Sequence, residues 1–175
     1  MIHYHGSPLS GAAADKARFW AGRHALVPFP YQVDLAVIAE VCQSFIFDNG
    51  AFTVWKRGGQ LDTDGYYRWV EDWNKHPSFD WALIPDVIDG SEDANDRLLE
   101  LWPKHLRGVP VWHLHESEER LCRLAESYPT VALGSSGDFS HPGAKNWWER
   151  MTGVLNNLCD EHGRPPCKLH GLRML

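Results

Sequence analysis

Val109–Gly137 reads VPVWHLHESEERLCRLAESYPTVALGSSG, and it holds one full period of an alternating fold. Val109–His115 is a near-continuous apolar run. Ser117 then opens a helical stretch to Ser127, with Leu121, Leu124 and Ala125 on one face. Ser117 suits an N-cap, and the acids of SEER sit in the first turn, where the helix dipole favours them. Pro129 stops the helix, and Thr130–Gly134 is a second apolar run. Short strands without polar alternation suit a parallel sheet covered on both faces.

Working outward, the same unit recurs. Upstream lie the runs Ile2–His5, His24–Phe29, Ser44–Asp48 and Trp81–Asp86, and downstream Lys168–Leu172. Helical spacing fills Asp34–Cys42, Asp64–Lys75, Ser91–His105 and Ala144–His162. Ser91, opening SEDAND, is another N-cap; Gly108, and Gly163 with Pro165 and Pro166, are stops. Alternation repeated about seven times predicts an α/β fold, either an open doubly wound sheet or a closed (β/α) barrel. Two features favour the barrel. No glycine-rich dinucleotide fingerprint follows the first strand, and polar residues collect at the carboxyl ends of the strands, where barrel enzymes build their sites. The expectation is one TIM-type (β/α)-barrel domain over residues 1–175. It would hold seven of the eight βα units that closure needs, and so be C-terminally truncated.

Composition limits the function classes. The chain of 175 residues is 43% hydrophobic and 23% charged, ordinary globular values that argue against disorder or a fibre. A net charge of −6 argues against a surface built for indiscriminate nucleic-acid binding, though not against a local basic groove. No apolar run approaches the roughly 18 residues of a membrane span. MIHYHG has neither the basic nor the apolar region of a secretory signal. Cys42, Cys122, Cys159 and Cys167 form no CxxC pair, so reduced thiols and a cytoplasmic location are expected.

The strand ends gather His3 and His5; Asp48 and Asn49; Asp86 and Asp89; His113, His115 and Glu116; Ser135 and Ser136; and His170. Carboxylates and imidazoles at one mouth suit acid–base chemistry, covalent catalysis or metal binding. In FDNGAF (Phe47–Phe52), Asp48 ends a strand and Asn49-Gly50 turns the backbone sharply. It could approach a flat ligand, or Asp48 could simply cap the turn. PDVIDG places Asp86 at a strand terminus and Asp89 where it could cap the next helix. In VWHLHE, His113 and His115 share one side of a strand at period two: one could line the site while the other packs in the core. ALGSSG ends in a turn whose backbone N–H groups could receive a phosphate or a base edge, or serve only as a βα connection. His3 and His5 resemble a metal pair without further ligands. Most tryptophans read as helix packing; Phe52 and Trp55, beside Asp48, could instead stack a purine. Lys56 and Arg57 read as a solvated surface.

In order, these motifs resemble the tRNA-guanine transglycosylase superfamily (queuine and archaeosine tRNA-ribosyltransferases), including its shorter phage and DNA-modifying relatives. FDNGAF is similar to the family's base-reading motif, which makes Asp48 the matching aspartate, and WALIPD places Asp86 as the second. His113 or His115 stands where the tRNA enzymes commonly carry a glutamine. Gly134 and Ser135 match the glycine loop, and His170-Gly171 the turn after strand seven. The resemblance implies exchange of guanine for a 7-deazaguanine base, as in queuosine formation, in tRNA or DNA. Asp48 and Asp86 would be catalytic, with Asn49, Phe52, His113, His115, Gly134, Ser135 and His170 binding substrate. For this chain no cofactor, no metal and no membrane contact are expected. An open barrel edge would need cover, for which a homodimer is one arrangement. The family's nucleophilic aspartate and cysteine-rich zinc site lie beyond the motifs matched, so base binding transfers more safely than turnover. Two alternatives are a metal-dependent (β/α)-barrel hydrolase and a non-catalytic base-binding accessory domain.

Overall fold

The computed structural model describes residues 1–174. In chain order its elements are β1 (Tyr4–Gly6), α1 (Ala13–Trp20), β2 (His24–Pro28), α2 (Leu35–Val41), β3 (Ser44–Asp48), α3 (Ala51–Lys56), α4 (Thr63–Trp73), β4 (Phe79–Leu83), α5 (Glu92–Leu101), β5 (Gly108–Val109), β6 (Val111–His113), α6 (Glu118–Ser127), β7 (Thr130–Gly134), α7 (Lys145–Leu158) and β8 (Lys168–Leu172). The fold is mixed α/β. Strand order is β1-β2-β3-β4-β5 in one sheet and β6-β7-β8 in the other. The β1–β2, β2–β3, β3–β4, β6–β7 and β7–β8 pairs are parallel. None of the described helices is long and apolar enough to cross a membrane.

The chain divides into two compact units. Unit 1 is Met1–Leu83 with Trp102–Gly108; unit 2 is Ile84–Leu101 with the chain from Val109 onward. In unit 1, the alternate residues Phe45 and Phe47 of β3 meet the aromatic face of α4. Phe47 stacks on Trp69 with ring centroids 3.7 Å apart, and Phe45 meets Trp73 edge-on. Asp62 caps α4 by accepting from the Gly65 N–H at 2.9 Å. Period two turns Ser44, Ile46 and Asp48 to the opposite face. There, at the amino ends, Tyr4 and Ser44 both donate to Asp80, and His24 Nδ1 lies 2.8 Å from Ser44 Oγ.

In unit 2, Trp112, Leu114, Val131 and Leu133 pack against Leu121 and Leu124 of α6 and Trp147, Met151 and Val154 of α7. The opposite face carries, in register, Val111, Ala132 and His170 in one row and His113, Gly134 and Leu172 in the next. Both expected caps are present: Ser117 Oγ accepts from Arg120 N at 3.2 Å and Ser91 Oγ from Ala94 N at 3.3 Å.

The differences from expectation have local causes. The run Val109–His115 breaks into β5 and β6 at Pro110, which has no N–H for a ladder bond. β4 starts earlier than expected and ends at Leu83, so Asp86 is not at the strand terminus but three residues beyond it, after Pro85. α5 ends at Leu101 because the residue before Pro103 is disfavoured in helix. α1 and α3, at eight and six residues, are too short to show a periodic signature.

Candidate functional site

Unit 2 brings together Asp86, His113, His115, Gly134 and Ser136. His113 Nε2 lies 2.9 Å from Asp86 Oδ2, and the two side chains are 4% and 10% exposed. His113 Nδ1 is buried with no hydrogen-bond partner. A proton there would be an orphan donor, whereas a carboxylate only accepts, so geometry puts the proton on Nε2 and aims it at Asp86. Nδ1 faces the bare Cα of Gly134, where a Cβ would stand 2.9 Å from it. The glycine of ALGSSG therefore makes room for the histidine of VWHLHE.

His115 has a different task. Its Nδ1 lies 2.7 Å from Ser136 Oγ and its Nε2 lies 3.3 Å from the Gly90 carbonyl. The carbonyl can only accept, so Nε2 carries the proton and the Ser136 hydroxyl donates to Nδ1. The two imidazoles stack with centroids 5.7 Å apart. Beside His115 opens a cleft of about 690 Å³, lined also by Glu92, Glu118, Glu119, Phe139 and Arg150.

A buried polar brace holds this group. Asn95, Glu116 and Arg120 are 2%, 3% and 1% exposed. Glu116 Oε2 accepts from the His113 backbone N–H at 2.8 Å and from Arg120 Nη1 at 2.7 Å; its Oε1 accepts from Asn95 Nδ2 at 2.8 Å. Asn95 also clamps the residue after Asp86: its Oδ1 accepts from Val87 N at 2.7 Å, and its Nδ2 donates to Val87 O. Arg120 Nε reaches Asp96 Oδ1 at 2.8 Å. Arg150 donates to the carbonyls of Leu114 and Glu116 and to Glu118 Oε1.

The other expected residues are distributed as follows. Ser135 Oγ accepts from Trp147 Nε1 at 3.0 Å and so anchors its turn to α7. His170 lies one row below His113, where burial pushes its pKa down to about 4. Asp89 is exposed. Asp48, Asn49 and Phe52 belong to unit 1. Asp48 Oδ1 accepts from Gly50 N at 2.6 Å, and Asn49 Oδ1 from Ala51 N at 2.7 Å. Gly50 has φ +78°, and a Cβ on it would stand 2.5 Å from Pro30 Cδ, so the turn requires glycine. At least one Asp48 oxygen thus builds the turn. His3 and His5 stack at 4.3 Å; burial, then the charges of His3, Arg23 and His24, lower the His5 pKa. Among the described residues, no three His, Cys, Asp or Glu side chains are grouped to hold a metal ion.

Neither a family model, nor a curated protein, nor a solved structure matches the chain.

Proposed function

We propose that the chain is a transglycosylase-type protein that holds guanine or a 7-deazaguanine base for exchange in tRNA or DNA, on a TIM-type (β/α) barrel. The observation that carries the reading is the Asp86–His113 pair set against the bare Cα of Gly134, at the carboxyl ends of the parallel strands β6 and β7. Parallel pairing in both sheets supports the barrel.

The chemistry follows from donor and acceptor counts. A carboxylate offers about four acceptor sites, and His113 uses one of those on Asp86. Guanine presents N1–H and N2–H₂ donors, which suit a carboxylate acceptor, Asp86 in unit 2 or Asp48 in unit 1. Backbone N–H groups of the Gly134–Ser136 turn receive O6. His113 orients Asp86 and holds it as the acceptor. In the exchange a carboxylate oxygen attacks C1′ and the C1′–N9 pair leaves with guanine, which takes up a proton. The 7-deazaguanine then attacks C1′ through its own N9, loses its proton and displaces the carboxylate. Oxocarbenium character at C1′ is stabilised by nearby negative charge. These residues hold the base; the attacking carboxylate is assigned to none of them.

The test is equilibrium binding of guanine and of a 7-deazaguanine base, with and without chelator. Saturable, chelator-insensitive binding that disappears in Asp86→Asn or in Asp48→Asn is the expected result. Full affinity in both variants would sink the assignment. Absence of binding together with stoichiometric metal would favour the hydrolase. Base binding without exchange would mark an accessory domain.

A further inference from the structure

In unit 1 the exposed large aromatic side chains are Phe52 (36%) and Trp55 (48%), three residues apart on α3. Their rings are 5.7 Å apart and tilted by 38°. Lys56 and Arg57 follow, both exposed. Among the described residues neither makes an ion pair within 4.0 Å, whereas Lys16 is paired with Asp34. Arg57 is nevertheless ordered: its Nη2 donates to Tyr31 Oη at 2.6 Å, with its guanidinium 5.8 Å from that ring's centroid. The result is an indole face, a free ammonium and a pre-oriented guanidinium on one short segment. Proteins that hold unpaired nucleic-acid strands combine these groups, with bases on aromatic faces and cations on phosphates.

Charge distribution points to the same partner. Unit 1 holds nine basic and nine acidic residues, so the whole net charge of −6 falls on unit 2. Several carboxylates of unit 1 are already committed. Asp34 binds Lys16 and the Leu9 N–H, Asp80 accepts from Tyr4 and Ser44, and Asp62 caps α4. A polyanion therefore meets no net repulsion from unit 1 and finds two uncompensated cations beside α3.

We propose that Tyr31, Trp55, Lys56 and Arg57 form a platform for unpaired nucleotides flanking the base that is exchanged, with one base stacked on Trp55 and the adjoining phosphates on Lys56 and Arg57. The proposal rests on the transglycosylase reading and deepens it, because it makes the substrate locally single-stranded. α3 begins three residues after Asp48, so strand contact and base contact adjoin along the chain.

The experiment uses fluorescein-labelled oligothymidylate, which contains no guanine, and measures anisotropy over a salt series; free guanine binding is measured in parallel. Trp55→Ala should weaken oligonucleotide binding about 5- to 100-fold while Trp55→Phe retains most of it. The Lys56→Ala/Arg57→Ala variant should reduce the salt slope by about 1.4, since each phosphate contact on a single strand contributes about 0.7. Free guanine affinity should stay unchanged in the Lys56→Ala/Arg57→Ala variant. Unchanged oligonucleotide binding in Trp55→Ala overturns the proposal. So does a dimer in sedimentation that Trp55→Ala dissolves, because the patch would then seat a second copy. Oligonucleotide binding that depends on Trp55 while guanine never binds would keep the platform and discard the base pocket.

Discussion

Replacing Gly134 with alanine is the sharpest probe of the Asp86–His113 arrangement. Gly134 does not have a left-handed φ, so alanine meets no backbone penalty and only space decides. The new Cβ would stand 2.9 Å from His113 Nδ1, 3.3 Å from its Cε1 and 3.4 Å from Val111 Cγ1. Ordinary contact needs about 3.5 Å, so something must move by about 0.6 Å. The imidazole cannot yield freely, because its side chain is 4% exposed and its Nε2 is held at 2.9 Å from Asp86. A shift of that size equals the margin between a good hydrogen bond and none. Overpacking alone costs about 1–3 kcal/mol. Loss of the histidine–aspartate bond adds about 1–3 kcal/mol. Urea unfolding should therefore show a loss of about 2–6 kcal/mol with an unchanged m-value, and ring nitrogen NMR should report a perturbed His113. The control is the same substitution in a His113→Ala background, where the obstructing ring is gone and alanine should cost close to nothing. If Gly134→Ala costs the same in both backgrounds, or nothing in either, the steric argument is wrong.

Three further outcomes follow from the same geometry. Glu116→Gln puts an amide donor among three donors and removes one of the two acidic partners of the buried Arg120, leaving Asp96; urea unfolding should show a loss of about 1–3 kcal/mol. His170 has a folded pKa near 4 against 6.5 unfolded, so as pH falls from about 6.5 to 4 the unfolded chain binds a proton that the folded chain refuses. Stability should drop through that window by up to about 1.4 kcal/mol per pH unit and level off below it, and His170→Leu should remove this one-proton slope from the difference curve. Gly50→Ala combines φ +78° with a Cβ 2.5 Å from Pro30 Cδ, so it should destabilise by more than the roughly 1 kcal/mol of the left-handed conformation alone, as a melting shift would show.

Strand and helix rhythm was legible where a residue's own chemistry fixed the element. Ser44–Asp48, Thr130–Gly134 and Lys168–Leu172 are strands over the limits their apolar runs predict, and Ser91 and Ser117 cap as their hydroxyls suggest. Pro110 was equally visible, yet the surrounding run hid the break it makes. The site was harder to read because its contacts are not local. His113 and His115 share one parity, and nothing in VWHLHE says which meets an acid 27 positions away. Both are used, one on Asp86 and one on Gly90 and Ser136. Asn95 reads as part of an acidic helix start. The one local hint is the four-residue spacing of Glu116 and Arg120, normally a surface pair and here buried.

The segment from Asp86 to Gly90 shows why these buried contacts matter for function. It has no ladder of its own, yet it is pinned at Asp86 by His113, at Val87 by both polar groups of Asn95, and at Gly90 by His115. His113 and Asn95 are further joined through the Glu116 carboxylate, and His115 follows His113 by two residues, so all three pins connect to the end of β6. Fixing a loop residue costs roughly 1–2 kcal/mol of backbone entropy, and here folding meets that cost before any ligand arrives. A ligand that binds Asp86 then finds its acceptor already oriented, and little binding energy is spent on ordering it. Asp48 reaches a similar end by a cheaper route, since its own oxygen closes the turn at Gly50. Loosening the first arrangement needs a change in the core, at Glu116 or Asn95, whereas a change confined to Gly50 loosens the second.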